Sequence, residues 1–263
     1  MKKRPTPEDW LPLAPVGRIP EAVPTGEAFK SGWIDFERGI RVGNLEPHER
    51  ITRILKHRLE ERYGTGFVTD RWGRGVHWQW ICWLPRANRE AKPVSNKINF
   101  GCAKFFISID RTLRIFQCGL QVERGFVKEA AGSLGAILAD DWDWHRLMAQ
   151  CAKATPLDLE LRRLLGREGF IARLESEDGQ AVFSARNYSS ARQIREAARK
   201  CLPDRWAGFQ LFYSMSAAEV RACNGYELVL AICGAFAEVT GVMNMCMQVP
   251  LAPVRSLLDL RDQ

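Results

Sequence analysis

In the stretch VHWQWICWLPR, residues 76–86, three tryptophans stand beside a histidine and a glutamine. These residue types can build ordinary core. They can also stack a flat ring and hydrogen-bond its edge, a common way of holding flipped or single-stranded bases. A strand sends successive side chains to opposite faces. Val76, Trp78, Trp80, Cys82 and Leu84 then share one wholly apolar face, expected to be core. His77, Gln79, Ile81 and Trp83 share the other, where His77, Gln79 and Trp83 are candidate ligand contacts. Arg71, Arg74, Arg86 and Arg89 flank the strand and suit phosphate oxygens. The plainer alternative for the mixed face is a partly covered surface.

The group ADDWDWHR offers a second chemistry. Asp141, Asp143 and His145 are oxygen and imidazole donors of the kind a divalent metal accepts. On a helix Asp141 and His145 would stand one turn apart. An aspartate cap with acidic first-turn residues accounts for the same letters through the helix dipole. No HExxH, HxxxH or DxDxDG pattern supports a metal, and no cofactor is expected.

A third candidate lies in KFFISID and LRIFQCGLQVERG. Metal-dependent nucleases of the restriction-enzyme type set an acid, then an acid-x-lysine pair, on adjacent strands, so that carboxylates hold the metal and lysine helps activate water. Asp110 and Glu123 are the nearest counterparts, but no lysine follows at the required place and Asp110 falls in the turn. No GxSxG, GxGxxG or GxxxxGK[ST] is present, so acyl transfer through a nucleophile elbow, dinucleotide binding and ATP hydrolysis are not expected.

Charge gives a location. Residues 50–97 hold eleven basic and four acidic residues, which is the whole of the chain's formal +7. A concentrated positive field points to an anionic partner, nucleic acid first and a phosphorylated small molecule second. A basic surface kept for solubility is the alternative.

The elements that would position these residues follow from period and punctuation. Residues 1–45 read as a proline-rich arm or loop-rich lead-in, and 46–263 as a globular region with a possible subdomain boundary near 153–156. A helix is expected from about Glu46 to Arg62, with Ile51, Ile54, Leu55 and Leu59 on one face and Arg53 and Lys56 off it. Strands at 76–84, 104–110 and 113–125 form a meander, with YGTGF and DRWGRG as glycine-rich breaks before it. A helix begins near Asp141, and Thr155 with Pro156 heads another. A hairpin turns at EDGQ, residues 190–201 are helical, and 207–215 form a strand. Ser216 and Glu219 form a capping box for a helix that breaks at Asn224–Gly225 and resumes. The expected class is α+β, mostly antiparallel sheet built from hairpins, packed by amphipathic helices and a buried C-terminal helix.

A chain of 263 residues, 46% hydrophobic and 26% charged, can bury a core and is unlike a disordered chain. Eight cysteines without a CxxC read as reduced, buried thiols. The N-terminus lacks an apolar signal segment, and Glu238 and Asn244 interrupt the apolar run near 228–247. A cytoplasmic location without membrane insertion is therefore expected. The leading functional expectation is a non-catalytic recognition module of prokaryotic type. It would bind nucleic acid or another phosphate-bearing polyanion through Arg53, Lys56, Arg71, Arg74, Arg86 and Arg89 with His77, Gln79 and Trp83. The alternatives are a metal-dependent nuclease or hydrolase using Asp110 and Glu123, and a protein-interaction subunit suggested by the proline-rich arm and GVMNMCMQV.

Overall fold

The computed structural model describes residues 24–92, 101–124, 143–202 and 206–253. In chain order the elements are β1 (Ile34–Asp35), β2 (Gly39–Arg41), α1 (Ile51–Tyr63), β3 (Phe67–Arg74), β4 (His77–Pro85), α2 (Arg86–Glu90), β5 (Lys104–Asp110) and β6 (Ile115–Glu123). There follow α3 (Asp143–Gln150), α4 (Pro156–Gly166), β7 (Ile171–Ser176), β8 (Gly179–Phe183), α5 (Arg192–Lys200), β9 (Ala207–Ser216), α6 (Ala217–Ala222) and α7 (Gly225–Cys246). Local chemistry sets several bounds. Gly64 closes α1 in the left-handed region at φ 60°, and the Thr155 side chain accepts from Asp158 N ahead of Pro156. Ser216 with Glu219, and Asn224 with Glu227, form reciprocal capping boxes on α6 and α7.

Nine strands form one sheet in the order β1-β2-β4-β5-β6-β9-β7-β8, with β3 pairing β4 off that path. Every pairing is antiparallel. The fold is α+β, as the pattern of elements predicts. One sheet draws strands from both sides of residues 153–156, because β6 and β9 pair over nine positions across that point.

Helices α1, α3, α4 and α7 pack together, with α7 against β6 and β9. Along α7 the buried positions Leu228, Val229, Ile232, Phe236, Val239 and Met243 keep a helical period, so one stripe faces the sheet. Its 22 residues are long and apolar enough to cross a membrane. Here that stripe is core instead: Phe236 stacks on Phe105 with ring centroids 4.8 Å apart. All eight cysteines are free, and burial pushes the Cys118 thiol up to about 12 and the Cys102 thiol to about 11. Neither is a nucleophile near neutral pH.

Two expectations change. The described part of the lead-in is sheet: Ile34 pairs Ile40, and Ile40 pairs Trp78. The prolines there all precede residue 25, and the apolar positions Ile34, Phe36, Ile40 and Val42 that follow are buried. Residues 1–23 lie outside the described residues. Of the glycine-rich stretch DRWGRG, residues 70–74 belong to strand β3 and only Gly75 to the turn that follows. Its Gly73 sits at φ 151°, and a Cβ there would meet the Trp78 Cα at 2.8 Å, so glycine lets the two strands approach at an irregularity in their pairing.

Close approach also sets the start of α7. A Cβ on Gly225 would stand 1.5 Å from the Phe29 carbonyl oxygen and 2.3 Å from its carbon. Backbone cannot fold away as a side chain can, so Gly225→Ala is expected to destabilise by about 3 kcal/mol. A urea midpoint equal to that of the parent protein would contradict this.

Candidate functional site

The face of the sheet turned away from α7 is mostly polar at its centre. Paired residues on neighbouring strands share a face. Lys104 pairs Gln121, Gln121 pairs Gln210, and Gln210 pairs Arg173, so a straight polar row crosses β5, β6, β9 and β7. An apolar row lies beside it: Cys82 and Phe106, with Phe212 edge-on to Phe106 at 6.4 Å. Beyond that, Ser108 Oγ donates to Gln117 Oε1 at 3.1 Å.

The polar row is a connected network. Lys104 Nζ is ion-paired with Glu123 Oε2, and both residues are buried. Gln121 Nε2 donates to Glu123 Oε1 at 2.8 Å, and Gln210 Nε2 donates to Gln121 Oε1 at 2.8 Å. Two indoles tie in at the edge: Trp80 Nε1 donates to Gln121 Oε1 at 2.9 Å and Trp206 Nε1 to Glu123 Oε1 at 3.2 Å. Arg173 Nε closes the far end on Gln210 Oε1 at 2.9 Å. Burial alone would pull the Lys104 ammonium down, but the Glu123 carboxylate outweighs it and holds the lysine above its ordinary value.

This network is the floor of a cavity of about 680 Å³ whose walls include Asp70 and Trp72 from β3 and Glu175 from β7. In a flat sheet β3 and β7, five strand spacings apart, would be separated by about 24 Å. Their side chains line one cavity, so the sheet curls and this face is concave.

A second cavity, about 640 Å³, adjoins the first, and Trp72 lines both. Its walls carry Arg38, Arg74, Arg111, His77 and Gln79, with Glu37 the one carboxylate. The Gln79 amide, turned to satisfy its neighbours, accepts from Arg111 Nη2 at 2.8 Å and Nη1 at 3.2 Å. Arg111 Nη2 also donates to the Arg38 carbonyl at 2.9 Å. Arg38 lies 3.8 Å from Asp35. Among the described residues, the Arg74 side chain has no ion pair or hydrogen bond.

The structure brings Arg71, Arg74, His77, Gln79 and Glu123 to these two cavities and leaves Arg53, Lys56, Trp83, Arg86, Arg89, Asp110, Asp143 and His145 outside their walls. Trp83 is a correction. It is wholly buried on the α7 side, tilted against Phe236 at 6.0 Å, with Nε1 donating to the Thr52 carbonyl at 3.1 Å. It cannot stack on a ligand. The expected apolar face is likewise not a single face. The β3–β4 register steps from Trp72↔Trp80 to Gly73↔Trp78, leaving Gln79 as an extra residue. Trp78 therefore packs on the main core beneath Arg71, whose guanidinium lies 4.2 Å from the ring, while Trp80 lines the cavity.

The basic segment is divided. Arg53 and Lys56 stand on α1, which packs against α7 on the opposite face, and Lys56 pairs Glu60 at 3.7 Å. Arg86 and Arg89 follow the far end of β4, eight residues and roughly 26 Å along the strand from His77. Lys92 is buried on Asp143, at 2.9 Å.

That contact also removes Asp143 as a metal ligand. Its carboxylate is wholly buried and accepts from Asn88 Nδ2 at 2.8 Å and Ala103 N at 2.6 Å, whereas His145 on the same helix is exposed. Asp141 lies outside the described residues. Among the described residues no three His, Cys, Asp or Glu side chains are grouped to hold a metal. Asp110 and Glu123 are not brought together either. Asp110 pairs Ile115 and caps the turn by accepting from Leu113 N at 2.9 Å, while Glu123 ends the same strand eight residues on, about 26 Å away.

Trp72, Lys104, Gln121, Glu175, Trp206 and Gln210 in the first cavity, and Arg38 and Arg111 in the second, are among the residues that escaped the sequence reading. A signal was there: β6 reads Gln117, Gly119, Gln121, Glu123 at every second position, with apolar residues between. Fold and cavities together define an α+β protein with a curled antiparallel sheet and a polar concave face. Compared with known proteins, the chain matches no family model, no curated protein and no solved structure.

Proposed function

We propose that this protein is a recognition module for a phosphate-bearing ligand, with nucleic acid the class that fits best, held at the arginine-lined end of the concave face. One observation carries the reading: Arg38, Arg74 and Arg111 converge on one cavity beside the exposed ring of Trp72, and the Arg74 side chain has no partner among the described residues. Three guanidiniums against one carboxylate leave an excess of positive charge where forked donors match phosphate oxygens. His77 and Gln79 add hydrogen-bonding groups to the same wall. The ligand's charge is met by arginines of β3, of the β1–β2 turn and of the β5–β6 turn, so folding itself assembles the site from distant segments.

The test is binding of labelled single- and double-stranded DNA and RNA across a salt series. Three phosphate contacts should give a log–log slope of roughly −2 to −3, since each neutralised phosphate releases counterions. No complex with any of the four at low salt would end the reading.

A further inference from the structure

The larger cavity sits directly beside the arginine cavity, and the two share one tryptophan. Resting on the phosphate-binding reading, we infer that the larger cavity receives one unpaired nucleobase whose phosphate lies on Arg38, Arg74 and Arg111.

Three features of the cavity carry this. First, it has aromatic surface of the right kind. Trp72 is 66% exposed, a large apolar ring left in solvent at the ridge between the cavities. Trp80 and Trp206 line the interior with their N–H groups already committed to Gln121 and Glu123. Those bonds fix the ring planes, so the faces rather than the polar edges are offered to a ligand. A base stacks on such faces whatever its identity.

Second, the floor can read an edge. An amide nitrogen carries two hydrogens, and Gln121 and Gln210 each spend one within the network, on Glu123 and on Gln121. The amide oxygens, by contrast, are engaged: Gln121 Oε1 accepts from Trp80 and Gln210, and Gln210 Oε1 from Arg173. The floor thus presents N–H donors to ring nitrogens and carbonyl oxygens, and the wall residue Glu175, 3.6 Å from Arg173, adds carboxylate oxygens that accept from exocyclic amines. Donors and acceptors in one cavity suit the mixed edge of a base.

Third, the floor is polar although an apolar row runs beside it. A buried lysine–glutamate pair is often replaceable by apolar residues with no loss. Keeping it, together with two buried glutamines, beneath a cavity preserves polar groups where an apolar row runs immediately alongside. A base inside a duplex cannot enter a cavity without leaving its stack, so the ligand is an unpaired base.

The test uses the intact protein and three ligands of one length: a base-bearing single strand, the same strand carrying abasic sites throughout, and the base-bearing strand paired with its complement. Affinity is read from a label and stacking from quenching of tryptophan fluorescence. The base-bearing strand is expected to bind about tenfold or more tightly than the abasic strand and to quench, with the quenching lost on pairing. Trp72→Ala, at an exposed position, should remove the advantage of the base-bearing strand over the abasic strand. Equal binding of base-bearing and abasic strands by the parent protein would overturn the inference and leave phosphate recognition standing. If neither strand binds, both readings fall together.

Discussion

Lys104→Met is expected to destabilise the protein by about 3–5 kcal/mol, because it strands the Glu123 carboxylate in the interior without its ammonium partner. Glu123 is 5% exposed, and what remains to it is one amide N–H from Gln121 and one indole N–H from Trp206. Two neutral donors do not replace a cation. Lys104→Met combined with Glu123→Gln should recover most of the loss, since removing both charges also removes the cost of taking them out of water. The difference between the single and double variants, read from urea midpoints, separates a lost charge partner from lost packing. Alkali provides an independent check. The folded lysine titrates above its ordinary value of about 10.5, so its contribution is complete below that pH and is lost as pH rises through the folded value. The parent protein should therefore lose stability above roughly pH 10.5 in excess of the Lys104→Met variant. Equal alkaline loss in both proteins would mean that the pair is not coupled to folding.

Much of the frame beneath that pair was legible in local sequence. The β5–β6 hairpin follows from two β-rich runs and a short turn, and Gly64, Thr155–Pro156 and Ser216–Glu219 mark helix ends by chemistry confined to a few residues. Strand β3 was hidden because its glycines, which read as breaks, serve an irregular pairing with β4. The faces of β4 were misassigned for a different reason. A period of two says which residues share a side, but not which side a helix will cover, and the extra residue Gln79 resets the alternation partway along. The candidate site is less legible still. Lys104, Gln121, Gln210 and Arg173 meet only because β9, late in the chain, inserts between β6 and β7. Nothing local in AGFQLFYSM announces that neighbour. Likewise Arg38 and Arg111, which complete the arginine cavity, come from turns that carry no motif.

Reversing Arg74 and Arg111 to glutamate should reduce nucleic-acid binding by about 100-fold or more at moderate salt, while stability falls by no more than about 2 kcal/mol. Both side chains are exposed; that of Arg74 gives up no partner among the described residues, and that of Arg111 gives up its hydrogen bonds to Gln79 and to the Arg38 carbonyl. The loss in binding has two parts: two phosphate contacts disappear, and two carboxylates then face the ligand at close range. A control of equal charge separates this from a general loss of attraction. Reversing Arg53 and Lys56 changes the net charge by the same amount, but those residues stand on α1, across the sheet from the concave face. At physiological ionic strength a charge acts over roughly 8 Å, so the second pair is screened from a ligand bound in the cavities. The two variants should differ in affinity by at least about tenfold. If they bind equally weakly, the ligand responds to the total field and the arginine cavity is not where it sits. If the α1 variant is the weaker of the two, the basic face of α1 is the contact surface and the concave face is not.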